Sequence, residues 1–162
     1  MLKFLAALFF VLCLHFTADA QWALGAEYKY HPKESQVGLR YDNLVQLNSS
    51  FNFGIHLNLA KGKGWGVSAG WNYHFENTFT SSLTTGVTGS INFSTSKPRS
   101  TYLDVSANLG YFGLAGDTKH VLLWPKVFGG YRFDLKSDEE ESGDAALNGF
   151  MIKPSMQLGY RF

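Results

Sequence analysis

Cysteine is almost absent: the 162-residue chain holds one, Cys13, inside an apolar run from Phe4 to Phe16. That run follows Lys3 and ends in Ala18-Asp19-Ala20, which is the charged start, apolar middle and small-residue close of a secretory signal peptide. It is shorter than the ~20 apolar residues of a spanning helix, and His15 interrupts it. Leu12 precedes Cys13 where lipoprotein processing wants a small residue, so a lipid anchor is not expected. Cleavage after Ala20 is expected to leave a single domain, residues 21–162, without cysteine and therefore without disulfides.

Charge is scarce too. Charged residues make up 17% of the chain, against ~25% in ordinary soluble proteins. The net charge of +1 provides no broad basic footprint, and no nucleic-acid partner is expected. Long hydrophobic runs are missing after residue 20, which excludes a spanning helix and leaves strands as the only means of crossing a membrane. Aromatics, at 16%, and 17 glycines are what the chain has in plenty.

Those residues fall into eight runs of period-two alternation. In residues 65–75, Trp65, Val67, Ala69, Trp71, Tyr73 and Phe75 share one phase, while Gly66, Ser68, Gly70, Asn72 and His74 share the other. The same pattern predicts strands near 22–30, 35–47, 51–59, around 83–93, 101–111, 121–135 and 148–162. The strand near 35–47 places Val37, Leu39, Tyr41, Val45 and Leu47 in the apolar phase. Ten-residue strands suffice to span a bilayer when tilted, and an even strand number suits a bacterial single-chain barrel. The predicted fold is all-β, an eight-stranded antiparallel up-and-down transmembrane β-barrel. Trp22, Tyr28, Tyr30, Trp65, Tyr73, Phe75 and Tyr160 stand at strand ends, where an interfacial aromatic girdle belongs. Pro125 and Pro154 lie inside strands, and each predicts a bulge or a shortened ladder.

A soluble lipocalin-like carrier has similar length and alternation but turns its apolar face inward. Its polar face would meet water and carry many Lys and Glu, whereas here that face is mostly Gly, Ser, Asn and Thr. Small residues suit a narrow lumen, so the apolar face is expected to point outward into lipid. The localisation that follows is the bacterial outer membrane.

The closing residues Leu158-Gly159-Tyr160-Arg161-Phe162 resemble the last strand of the eight-stranded outer-membrane proteins related to outer membrane protein X and the Ail/Lom group, and of the generic small barrels of Bacteroidota. The resemblance implies that Tyr160 and Phe162 form the signal read by the barrel assembly machinery. Gln157 stands where that signal usually has glycine, with Gly159 nearby instead.

The polar phase contains the cations Lys29, Arg40, Lys126, Arg132, Lys153 and Arg161 and the anions Glu27, Asp42, Asp104 and Asp134. Near balance predicts a mutually paired network that plugs the lumen. A first hairpin turning at Lys33-Glu34 aligns Glu27 with Arg40 and Tyr28 with Leu39, which predicts an interior Glu27–Arg40 salt bridge.

With both termini on the periplasmic side, the outer loops hold Lys33, Lys61, Lys63, Lys97 and Arg99, and the acidic run Asp138-Glu139-Glu140-Glu141 with Asp144. The basic residues suit lipopolysaccharide phosphates. The acidic ones are candidate ligands for a divalent ion, but lack the spacing of a calcium loop.

His56 and His74 lie in the polar phase, without a His-x-Ser motif, and His31 and His120 lie at strand ends. No catalytic residue and no cofactor is expected. The expected function is a non-enzymatic outer-membrane barrel serving envelope integrity, surface interaction, or a larger outer-membrane assembly joined through its loops or outer wall. A narrow channel or small apolar-ligand conduit is the alternative. The intact mass of the exported protein should correspond to a chain beginning at Gln21; a mass that retains residues 1–20 would refute the signal peptide.

Overall fold

The computed structural model describes residues 21–32, 34–46, 48–59, 64–77, 81–95, 100–116, 119–137 and 149–162. Residues 1–20 with Cys13, Leu47, and the loop residues Lys33, Lys61, Lys63, Lys97, Arg99, Asp138, Glu139, Glu140, Glu141 and Asp144 lie outside the described residues, as does the side chain of Val45. Eight strands follow in chain order: β1 (Gln21–Lys29), β2 (Gln36–Gln46), β3 (Ser49–Asn58), β4 (Gly64–His74), β5 (Ser82–Ser94), β6 (Ser100–Ala115), β7 (Val121–Ser137) and β8 (Gly149–Arg161). Each pairs antiparallel with the next, and β8 returns to β1 to close the barrel. Closure removes every unpaired sheet edge, which an open sheet would expose.

The apolar phase faces outward on all eight strands. Ile55 is 61% exposed and Phe150 70%, positions that water would penalise and lipid accepts. An inward apolar face, which the soluble-carrier reading requires, is not what the barrel has. The girdle residues Trp22, Tyr28, Tyr30, Trp65, Tyr73, Phe75 and Tyr160 are all exposed on the outer wall. They fall into two bands. Trp22, Tyr73, Phe75 and Tyr160 stand at the end that carries the termini, and Tyr28, Tyr30 and Trp65 at the other. At the seam between β1 and β8, the Trp22 and Phe162 rings stack at 4.0 Å. Phe162 N–H donates to the Trp22 carbonyl at 2.8 Å.

The first hairpin differs from its predicted register. Glu27 faces Gly38, Tyr28 faces Val37, and Arg40 faces Gly25, a displacement of two residues that moves the turn toward Pro32. Because side chains alternate with period two, a shift of two leaves every residue on its face. The Glu27–Arg40 contact is therefore made diagonally.

The prolines interrupt ladders without creating bulges. Between β6 and β7 the pairing stops after Gly110↔Lys126 and resumes at Gly113↔Leu123 in the same register, spanning Pro125, which has no N–H to donate. The β1–β8 ladder ends at Lys29↔Ser155, beside Pro154. The irregularities that do occur lie between Asn43 and Gln46 in β2 and opposite Thr101/Tyr102 in β7.

Inward glycines let neighbouring strands' side chains lie flat across the wall. A Cβ on Gly86 would collide with the Trp71 carbonyl oxygen and lie 2.6 Å from Asn72 Oδ1, whereas one on the outward Gly89 would meet nothing within 4 Å. Gly86→Val should therefore lower stability by about 1–3 kcal/mol through overpacking. Gly89→Ala should leave it unchanged or raise it by about 0.5–1 kcal/mol by removing chain entropy. Urea unfolding midpoints in detergent or lipid check both.

Candidate functional site

The interior is the chemically distinctive region, and it is built in three tiers. At the end with the termini the floor is apolar: Ala23, Leu44, Phe112, Leu122 and Trp124 are fully buried against one another, with Leu114 packed alongside. Phe112 and Trp124 meet edge to face at 5.0 Å. The Trp124 indole N–H donates to Thr84 Oγ1 at 3.0 Å, so its one polar atom is satisfied.

Above the floor lies a first set of charges. The Glu27 carboxylate is 3.4 Å from Lys29, 3.2 Å from Arg40 and 3.4 Å from Lys126. It also accepts a hydrogen bond from Ser155 Oγ at 3.1 Å. Arg40 Nε donates to Asp42 at 3.0 Å. Gln157 bridges Asp42 and Lys126, donating to the first at 2.6 Å and accepting from the second at 3.0 Å. The Lys126 ammonium sits 3.9 Å from the Trp124 ring centroid, a cation–π contact that joins this tier to the floor.

Near the loop end, Arg132 grips both oxygens of Asp104 at 2.7 and 2.8 Å, the bidentate geometry that only a planar guanidinium supplies. Lys153 adds a third bond to Asp104 at 2.9 Å. The Arg132 guanidinium lies over the Tyr102 ring at 3.7 Å and reaches Glu34 at 2.6 Å. Tyr102 also donates its hydroxyl to Glu34. Neutral amides extend the tier: Asn58 donates to Tyr102 Oη at 3.0 Å, and Gln36 donates to Asn58 and Asn92 at 3.0 and 3.2 Å.

Nine of the ten expected lumen charges are buried: Glu27, Lys29, Arg40, Asp42, Asp104, Lys126, Arg132, Lys153 and Arg161. Arg161 lies at the lower rim, across from Ala23. Asp134 corrects the expectation. It has the inward phase but stands beyond Arg132 at the barrel mouth, where it is exposed. Glu34, which the sequence places in a turn, is in fact buried and supplies the upper tier's second carboxylate. The apolar floor was also missed. Its signal is present, because β7 carries Leu122, Trp124 and Phe128 in the same phase as Lys126 and Arg132, so that this strand is apolar on both faces.

A serine does reach a histidine: Ser50 Oγ and His74 Nε2 are 3.1 Å apart. Both are wholly buried, and His74 Nδ1 has no hydrogen-bond partner among the described residues. His56 is held elsewhere, 2.7 Å from Asn92 Oδ1. Among the described residues, no group of three acidic, histidine or cysteine side chains is placed to hold a metal ion.

Little space remains inside. Two lumen cavities measure about 20 Å³ and about 10 Å³, and a single water needs roughly 10–15 Å³. Neither void amounts to a passage.

A closed eight-stranded barrel with an apolar outer belt, aromatic bands and a polar, filled interior belongs to the transmembrane class of β-barrels. Among solved structures the chain resembles the N-terminal β-barrel domain of OprF from Pseudomonas aeruginosa, with a TM-score of 0.59 and 13% identity over 88% of this chain and 97% of that one. No protein-family model matches the chain. No curated protein matches it significantly in sequence.

Arg132 joins the two carboxylates of the upper tier. Arg132→Met should leave Asp104 and Glu34 buried and short of a cation, lowering stability by about 3–5 kcal/mol. A urea midpoint within error of the unsubstituted protein would contradict that role.

Proposed function

We propose that this protein is a non-enzymatic barrel of the bacterial outer membrane whose interior is a structural plug, and that it serves envelope integrity, surface contacts or a larger outer-membrane assembly. The observation that carries this reading is the filled lumen. Ion pairs run from Glu34 to Asp42 above an apolar floor, and two cavities among these charges measure only about 20 Å³ and about 10 Å³. A conducting pore needs a continuous wet path, and a ligand conduit needs a cavity, commonly of about 300–1,000 Å³. Placement in the outer membrane is supported by the outward apolar face with its two aromatic bands, and by the signal-like first twenty residues.

Function in such a barrel falls to what the plug leaves available, namely the outer wall and the loops. Partners consistent with this are outer-membrane lipid and lipopolysaccharide at the wall and basic loops, the barrel assembly machinery during insertion, and a protein partner on the loops or wall. The Ser50–His74 pair is enclosed within the lumen, out of reach of a lipid ester, which supports the non-enzymatic reading.

Membrane-extracted protein should migrate differently on gels before and after boiling, as a folded barrel does, and should produce no steady conductance steps in planar bilayers. Unchanged migration on boiling would overturn the membrane barrel. Steady ion steps abolished by substitution of Arg40 or Arg132 would overturn the plug and establish a channel.

A further inference from the structure

The lumen charges, counted by tier, do not cancel. The upper set holds two cations, Arg132 and Lys153, against two carboxylates, Glu34 and Asp104. The lower set holds three cations, Lys29, Arg40 and Lys126, against two carboxylates, Glu27 and Asp42. All nine side chains are buried. Within these two sets, with Arg161 at the lower rim not counted, the cations outnumber the carboxylates by one, and an uncompensated charge held out of water is costly.

The excess has a natural outlet. Of the three lower cations, Lys29 has the weakest partner: its ammonium offers three donors and meets one carboxylate oxygen, at 3.4 Å. It lines the larger lumen cavity together with Lys153, Thr88, Ser90, Gln36 and Asp104. Lys153 spends one donor on Asp104. Thr88 Oγ1 is buried with no hydrogen-bond partner among the described residues. Gln36 contributes no donor, since its amide group serves Asn58 and Asn92. Asp104 contributes little repulsion, because both its oxygens are taken by Arg132 and Lys153.

We infer that this cavity is a binding site for one small monoatomic anion of the chloride kind, held by the ammonium groups of Lys29 and Lys153 and the hydroxyl of Thr88. One such ion balances the two sets. The volume of about 20 Å³ is close to that of the one-water cavities set at roughly 10–15 Å³. It suits an ion slightly larger than water and rejects sulfate or phosphate. The site is defined by the lumen's charges, the Thr88 hydroxyl and the cavity, whether or not the barrel resides in the outer membrane.

The test is to unfold the protein and refold it in detergent in sodium bromide, chloride or gluconate at equal ionic strength. Crystals grown from the bromide preparation should contain an anomalous peak in the cavity, within hydrogen-bond reach of Lys29 Nζ. Unfolding should be slower in chloride and bromide than in gluconate. Lys29→Met removes the excess charge while Glu27 keeps Arg40 and Lys126, so this variant should lose the peak and unfold at the same rate in all three salts. Thr88→Val preserves every charge and should reduce bromide occupancy, which keeps the test decisive if the lysine variant does not fold. A lumen without an anomalous peak, or unfolding rates that do not respond to the anion in the unsubstituted protein, would overturn the site and leave water as the cavity's occupant.

Discussion

A closed sheet of eight strands leaves an interior only about wide enough for side chains to fill, and most of the structure follows from that limit. Each inward residue must fit against those projecting from the opposite wall, and the charged ones find their partners inside the lumen, because water has little room. The barrel meets this by being lopsided. Long side chains project from one arc, with Lys29, Arg40, Lys126, Trp124, Arg132 and Lys153 on β1, β2, β7 and β8. The facing arc, β3 to β5, is lined by Gly54, Gly66, Gly70, Gly86, Ser68, Ser90 and Asn52. A Cβ at Gly66 would lie 2.5 Å from His56 Nε2 and 2.7 Å from Asn92 Oδ1. Glycine on that arc preserves the room that the long side chains and amides occupy.

The same limit shapes the electrostatics. Arg132 meets Asp104 with two hydrogen bonds, and Glu27 collects three cations and a hydroxyl. Such pairs gain little net stability over an apolar core of equal volume, yet removing one member is expensive. An interior of this kind penalises mispacked arrangements more than it strengthens the native one. The backbone ladder closes around the whole wall, and lipid can accept the apolar outer face. Charges that would be a burden in the wall are thus confined to the one compartment where opposite charges face each other across a few ångströms.

Much of this was legible in the residues, since alternation assigns a face to every position. Nine buried charges and seven girdle aromatics could be placed without knowing any contact. What alternation cannot read is anything that preserves parity. The two-residue displacement in the first hairpin moved Glu27 from Arg40 to Gly38 without turning either side chain around. Parity also says nothing about depth. Asp134 and Arg132 share a phase, but one stands at the mouth and the other inside. Glu34 lies beyond the end of β1, where a strand pattern ceases to apply, so its fold back onto Arg132 and Tyr102 left no periodic trace. The floor was overlooked for a different reason: on β7 the apolar residues occupy both phases, and the outward set of Val121, Leu123, Val127, Tyr131 and Phe133 masks the inward one.

The two ends of the lumen are closed by different chemistry, and the difference bears on what the barrel can do. Glu34 closes the loop end through polar contacts contributed by a connecting segment, which a change in that segment can reposition without disturbing the wall. Trp124, Phe112 and Leu122 close the other end as parts of β6 and β7 themselves, interlocked with His74 and capped by a hydrogen bond to Thr84. Opening the floor means withdrawing side chains from strands that are paired on both sides, which costs packing and leaves an indole N–H without its acceptor. Rearrangement at the loop end therefore need not displace Trp124, Phe112 and Leu122 at the other.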